Sequence, residues 1–468
     1  MKSIVTNNEK NILVEIIQQC PINEEQIDFS CVIIYGLLKN MNTIECLNRY
    51  HKLLERAMCH PSPRIKSMVL MLLNDMINSE NVTRISVGYP GLLIQAANCL
   101  GSSERSVAQG AITLLTSFGL SPPGLKVLYS DMIMQRFKEA MLINDIVRFR
   151  VYEIVATVSR KSEDGLKASQ ATGFMNSLLS EVQSTDTLLQ LNALEILSSL
   201  GGTAHGYKYL QESGIIQYLI DKIVNLEDEP LSFVVLPGLI EFFGNICKVD
   251  PQQFFNSHPE VIHVLFQSLE SADEVLMGVI FSTVGKIGSS KSGKIVLSSQ
   301  RNDMSLFFKT AGEVLKRKND ATVSSLHSLT ELFTVPENDN EGVSEILLVW
   351  FQQLGPEALN AVIGLSRLPF IELRLSALTF LTAIAKQPWG VERICGYPGM
   401  LEYLTDRSTE IHKDCKSAKY DIIYNLTESS NIGNVVGDET LTRLKDFVKE
   451  GPYFVPTLSP EVVTEGAS

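Results

Sequence analysis

The stretch Ala193-Leu194-Glu195-Ile196-Leu197-Ser198-Ser199-Leu200-Gly201 decides the fold. Its order is apolar, apolar, polar, apolar, apolar, two weakly apolar or polar places, apolar, small. The same order stands in Ala111-Ile112-Thr113-Leu114-Leu115-Thr116-Ser117-Phe118-Gly119 and in Val151-Tyr152-Glu153-Ile154-Val155-Ala156-Thr157-Val158-Ser159. It returns from Leu239 to Cys247 and from Ile280 to Gly288, with Glu241 and then Ser282 in the polar third place. At 100° per residue the apolar places gather on one side of a helix and the third place faces away.

Taking the second apolar place as an anchor, the series runs Val32, Leu70, Ile112, Tyr152, Leu194, Ile240, Phe281, Leu326, Leu378 and Tyr420. Most intervals are about 40 to 46 residues, the period of armadillo and HEAT units. The longer step from Leu326 to Leu378 holds an acidic loop, Pro336-Glu337-Asn338-Asp339-Asn340-Glu341-Gly342, which reads as an exposed insertion. Each unit is expected to be a helix pair, the second helices including Phe174 to Val182, Ile215 to Val224, Val261 to Leu269 and Met400 to Asp406. Gly119, Gly201 and Gly288 are expected to end helices in left-handed conformation, and Ser271 with Glu274 reads as a capping box.

A helix pair leaves an apolar flank that only a neighbouring unit can bury, so stacking follows. The expectation is all-α: one armadillo/HEAT-like α-solenoid, a superhelix of about ten repeats over residues 1–451, without strands. Ile4 to Pro21 would cap its start and Leu441 to Val448 its end, and residues 452–468, proline-bearing and aperiodic, read as a disordered tail.

Composition agrees with a folded, non-nucleic-acid-binding chain. The 468 residues exceed one compact core, and they are 45% hydrophobic and 20% charged. The formal net charge of -13 opposes binding to phosphate backbones or anionic lipid and suits a basic protein segment. No apolar run approaches the roughly 20 residues of a membrane span, and the opening residues lack the order of a secretory signal. The eight cysteines are scattered without metal-ligand spacing, which reads as free thiols in a reducing compartment. The sequons at Asn81 and Asn425 are then accidental. A cytoplasmic protein is expected, with the nucleus also open to it.

The motifs nearest to catalytic chemistry each lack a required part. Gly288-Ser289-Ser290-Lys291-Ser292-Gly293-Lys294-Ile295 matches GxxxxGK, but Ile295 stands where a magnesium-binding hydroxyl belongs and a repeat helix precedes it in place of a strand. An inter-repeat turn explains it better. His258 and His263 are five apart, too loose for an i, i+4 metal pair, and there is neither HExxH nor GxSxG. No catalytic residue, metal ligand or cofactor is assigned. The Leu441 to Val448 helix balances Lys445 and Lys449 with Asp446 and Glu450, so a cap suits it better than a membrane-surface element.

What remains is the outward ridge of the anchor helices. Stacking aligns equivalent places, so Glu153, Glu195 and Glu241 should form a carboxylate ladder, joined one turn on by Thr157, Ser199 and Asn245. In armadillo-like stacks such a helix lines the concave surface, which makes the ladder a candidate protein-binding groove; a solvated face filled with good helix formers is the other reading. Arg148 and Arg150, opening the Glu153 helix, belong to the groove or neutralise Glu153 or a carboxylate next door.

Several runs resemble a known family. Asn144-Asp145-Ile146-Val147-Arg148-Phe149-Arg150-Val151-Tyr152-Glu153, Leu236-Pro237-Gly238 with Phe242-Phe243-Gly244-Asn245, Ala385-Lys386-Gln387-Pro388-Trp389, Pro398-Gly399-Met400-Leu401-Glu402-Tyr403 with Asp406-Arg407-Ser408, and Glu450-Gly451-Pro452-Tyr453 are similar to the 26S proteasome non-ATPase regulatory subunit 5 family. The resemblance implies a non-catalytic assembly chaperone of the regulatory-particle base. Such a protein binds base ATPase subunits, chiefly 26S proteasome regulatory subunit 7, with associated base subunits, and is released before the mature proteasome forms; it can also restrain assembly. A monomer is expected when free. The competing expectation is another armadillo adaptor, karyopherin-like or signalling, which a recurrent Asn/Trp ladder would favour; Trp350 and Trp389 do not recur with the repeat.

Overall fold

The computed structural model of the chain describes residues 24–226, 231–335 and 342–454, and no strand occurs among them. The chain forms two compact units, Met1–Leu219 and Ile220–Ser468. Each is an armadillo/HEAT-like stack organised by long helices at the anchor positions. In the first unit these are α1 (Glu24–Lys39), α2 (Pro63–Met76), α3 (Arg105–Gly119), α4 (Asp145–Lys161) and α5 (Thr187–Gly201). In the second they are α6 (Ser232–Cys247), α7 (Glu274–Ile287), α8 (Asp320–Phe333), α9 (Ile371–Ile384) and α10 (Lys413–Glu428). Within each unit every one of them packs on the next, as the period requires.

The α5 helix shows why. Asp186 accepts the backbone N–H groups of Leu188 and Leu189 at 2.9 and 3.3 Å, closing its N-terminus. Ala193, Leu194, Leu197 and Leu200 are then buried, a stripe whose burial is worth about 1.5–3 kcal/mol for each large side chain. In the second unit the stripes are aromatic: Phe308 meets Trp350 at 5.3 Å, Phe333 meets Phe380 edge-on at 5.4 Å and Phe351 meets Trp389 at 5.0 Å. Both tryptophans therefore serve the core.

The expected helix pair is in fact a triplet over most of the chain. Two further helices, at least one of them short, separate successive long ones, for example Glu163–Ala171 and Phe174–Val182, or Lys291–Ser299 and Arg301–Val314. The break between the short helices is made by single left-handed glycines such as Gly173 (φ 80°) and Gly399 (φ 70°). Periodicity alone merged these pieces.

The glycines expected to be left-handed at the ends of long helices are not. Gly119 and Gly201 are the last residues of α3 and α5, and Gly288 has φ -79°. Space, not conformation, demands at least one of them: a Cβ on Gly288 would lie 2.3 Å from Leu332 Cδ2. A second recurring device was unforeseen. Ser121, Ser162, Thr203 and Ser290 each cap a short helix by accepting the N–H of a glycine three residues on. That glycine presses on the end of the preceding long helix, so that a Cβ on Gly206 would stand 2.1 Å from the Leu200 carbonyl oxygen.

Other expectations are corrected locally. The cap of α7 is Asp273, accepting the Leu276 N–H at 2.8 Å, whereas Ser271 closes the helix before it. Val32 is 71% exposed, because the buried stripe of α1 runs through Cys31, Ile34 and Leu38, one residue out of register. Tyr420 is only half-buried, its hydroxyl donating to the Val448 carbonyl at 3.3 Å. The expected start cap, residues 336–341 of the acidic loop and residues 455–468 lie outside the described residues. The expected end cap falls within Asp438–Glu450, which packs on α10 and is clasped by Arg407 through the Gly451 carbonyl at 2.6 Å and the Phe447 ring at 3.8 Å.

Candidate partner-binding face

The third-place residues are turned outward. Thr113, Glu153 and Glu195 in the first unit, and Glu241, His327 and Thr379 in the second, are exposed while their helix neighbours on either side are buried or half-buried. In the first unit Glu153 and Glu195 are brought together on adjacent helices. Although Glu153 is exposed at its rim, the atoms packed around it displace water, and this partial burial, followed by the Glu195 charge, raises its pKa from the usual carboxylate range. Neither carboxylate has an ion-pair partner among the described residues.

The guanidinium groups of Arg148 and Arg150 are engaged away from Glu153. Arg148 pairs with Asp145 at 2.7 Å and with Glu181 of the Phe174–Val182 helix at 2.8 Å. Arg150 donates to the carbonyls of Leu100 and Ser102 at 2.6 and 2.8 Å, closing the C-terminus of the Pro90–Cys99 helix in the preceding repeat. Both pin one repeat to the next or to its own second helix, and neither neutralises Glu153. Thr157 is half-buried, and the exposed Ser199 donates to the Ile196 carbonyl at 2.9 Å.

In the second unit Glu241 is not an open carboxylate: Lys286 of α7 meets it at 3.0 Å. Asn245, one turn on, is half-buried. Beside them α7 and α8 approach closely through small residues. A Cβ on Gly278 would be 3.3 Å from Ser324 Oγ, and one on Gly285 would be 2.9 Å from Ser328 Cα. The cleft above is lined by Ser282, Ser324, His327, Ser328 and Glu331.

Exposed apolar side chains on these outward surfaces, two in the first unit and one in the second, escaped sequence reasoning. Ile146, Leu188 and Val275 are 68%, 71% and 72% exposed. Each stands two turns before its third-place residue, roughly 10 Å along the axis at 1.5 Å per residue and at nearly the same angle. The signal was present as an apolar second residue in α4, α5 and α7, but a pattern centred on the buried stripe overlooks it.

The GxxxxGK segment is a structural turn. Lys294 is 1% exposed and donates to the Gly288 carbonyl at the end of α7 and to the Glu331 carbonyl near the end of α8 at 3.3 Å. Burial lowers its pKa to about 8, with Glu331 opposing. A Cβ on Gly293 would fall 1.8 Å from the Ile287 carbonyl oxygen, so this glycine serves close packing. The sequon asparagines are also structural: Asn81 is buried and donates to the Met76 carbonyl at 2.8 Å, and Asn425 donates to the Thr382 carbonyl at 3.2 Å. No group of three or more potential metal-ligating side chains occurs among the described residues.

The chain matches the proteasome non-ATPase 26S subunit family over residues 3–468. It belongs to that family. A relative from Bos taurus, 26S proteasome non-ATPase regulatory subunit 5, is 33% identical over 448 residues, covering 95% of this chain and 89% of the relative. The Homo sapiens protein of the same name is 33% identical over 442 residues, covering 93% and 87%. Among solved structures, Kap95p bound to RanGDP aligns with a TM-score of 0.52 at 11% identity, over 94% of this chain and 66% of that one, a likeness of fold alone. Family membership thus rests on sequence along the whole length, and the proteasome-related role follows from it.

Proposed function

We propose that this chain is a non-catalytic assembly chaperone of the proteasome regulatory-particle base. It binds base ATPase subunits, chiefly the one resembling 26S proteasome regulatory subunit 7, through the ladder face, and leaves before the mature particle is complete. Occupying the ATPases also restrains assembly when the chaperone is in excess. The compartments are those where free base subassemblies occur, cytosol and nucleus. One observation carries the reading: in a family member, Glu153 and Glu195 crowd together, exposed and unneutralised, on the face a repeat stack offers to other proteins. A basic partner segment relieves that repulsion.

The competing adaptor reading, which a recurrent Asn/Trp ladder would favour, gains nothing from Trp350 and Trp389, which are 2% and 9% exposed and packed against phenylalanines. The test is affinity purification of the tagged full chain from cells, followed by mass spectrometry. Base ATPases without core-particle subunits are the expected catch. Recovery of the complete 26S particle, or of no base subunit at all, overturns the proposal.

A further inference from the structure

The geometry points to the cleft between α7 and α8 as the seat of an arginine side chain carried by a basic protein segment. This deepens the chaperone reading by naming the chemistry of a docked segment, and it rests on the outward surface of the second unit's long helices taking part in binding.

Two independent features converge there. The first is shape. Gly278, Ser282 and Gly285 on α7 oppose Ser324 and Ser328 on α8, so no large side chain fills the surface above the helix contact. The second is an unanswered polar group on the floor. Ser328 is 1% exposed, lines the cleft, and its hydroxyl has no hydrogen-bond partner among the described residues. Buried hydroxyls are normally paired, and this one, covered beside Glu331 in the free chain, gains a partner when a donor enters the cleft and draws the Glu331 side chain aside.

The rim selects the charge. Glu331 lies across Gly285, its Oε2 only 2.8 Å from where a Cβ would stand, and Asp320 and Glu274 line the neighbouring part of the trough. Lys286 is already committed to Glu241 at 3.0 Å, and the His327 ring nitrogen meets Ser376 Oγ at 3.0 Å. Glu274 accepts from the Asn319 amide. Glu331 and Asp320 have no cationic side chain in ion-pair range among the described residues; the buried Lys294 feels the Glu331 charge from below, and beside it Glu241, Glu274 and Asp320 outnumber Lys286, so acidic groups predominate along the trough. A guanidinium carries several donors in a flat fork on a slender apolar stem. It can lie between small walls while reaching both the Ser328 hydroxyl and the Glu331 carboxylate. A lysine ammonium, compact and strongly hydrated, answers the charge but not the shape.

The experiment uses the full chain and fluorescein-labelled octa-arginine, with octa-lysine as the comparison, followed by fluorescence anisotropy at physiological salt. Octa-arginine is expected to bind several-fold more tightly than octa-lysine. Glu331→Gln should weaken it about tenfold, and Ser324→Leu, which fills the cleft, by more. Glu163→Gln, removing an exposed carboxylate of the first unit, should match the parent chain. Circular dichroism melts establish that each variant is folded, and Glu331→Gln, at an exposed position, keeps the test valid should Ser324→Leu disturb helix packing. Equal affinity of octa-arginine for the parent chain and Glu331→Gln, or octa-lysine binding as tightly as octa-arginine, overturns the assignment. No proteasome component is present in this assay. Failure to capture base ATPases from cells would therefore overturn the chaperone reading and leave the cleft standing, and loss of the peptide discrimination would do the reverse.

Discussion

Replacing Lys294 by Met should change how stability responds to alkaline pH, and by an amount the structure sets. The lysine is 1% exposed and its pKa is lowered to about 8 from 10.5, chiefly by burial. Its folded pKa lies below its unfolded one, so between about pH 8 and 10.5 the unfolded chain binds more protons and stability rises with pH. Below pH 8 the full cost of keeping the charge buried is present; above pH 10.5 it is gone. Integrating the two titrations gives a change of about 2.5 kcal/mol between pH 7 and pH 10. Lys294→Met removes this term and also leaves the Gly288 and Glu331 carbonyls without their donor, a loss of about 1–3 kcal/mol that does not vary with pH. The measurement is urea unfolding of both proteins at pH 7, 8, 9 and 10, taking the difference at each pH so that thiols and tyrosines common to both cancel. The parent chain should gain on the variant steadily across the series. A difference that stays flat would refute the assignment of Lys294 as a buried helix-end donor with a low pKa.

Arg150→Ala should destabilise the first unit by about 1–3 kcal/mol, since the Leu100 and Ser102 carbonyls lose their donor, while partner affinity per folded molecule is unchanged; urea titration beside a binding assay separates the two. Glu153→Lys with Glu195→Lys should leave the melting temperature within a degree or two of the parent, the surface change being worth less than about 0.5 kcal/mol, and sharply reduce co-purification of base ATPases. Retained capture would remove these carboxylates from the interface. Gly206→Ala should lower stability by about 2 kcal/mol or more, because its Cβ would meet the Leu200 carbonyl oxygen at 2.1 Å. A variant melting with the parent chain would show that the turn yields.

The long helices were legible because burial imposes a period that a sequence cannot conceal. Leu70, Ile112, Tyr152, Leu194, Ile240, Phe281, Leu326 and Leu378 are all at most 5% exposed, and the residue after each is exposed or half-exposed. The site was legible in part. Glu153 and Glu195 meet as the alignment of repeats demands, but Glu241 is answered by Lys286, a residue whose reach across to the neighbouring helix no spacing rule foretells. Arg148 and Arg150 look alike in sequence and open the same helix, yet both are consumed by groups 33 to 50 residues away or one turn back.

Sequence by itself determined the repeat, its helical character, the outward ridge and the family, because these depend on apolar periodicity and on runs of residues read in order. Tertiary structure alone decided which charges remain open, where backbones come near enough to require glycine, and that a cleft forms between α7 and α8. Those depend on distances between residues far apart in the chain. A side chain's partner is whatever lies within a few ångströms after stacking, and the period fixes which helices become neighbours without fixing which atoms meet.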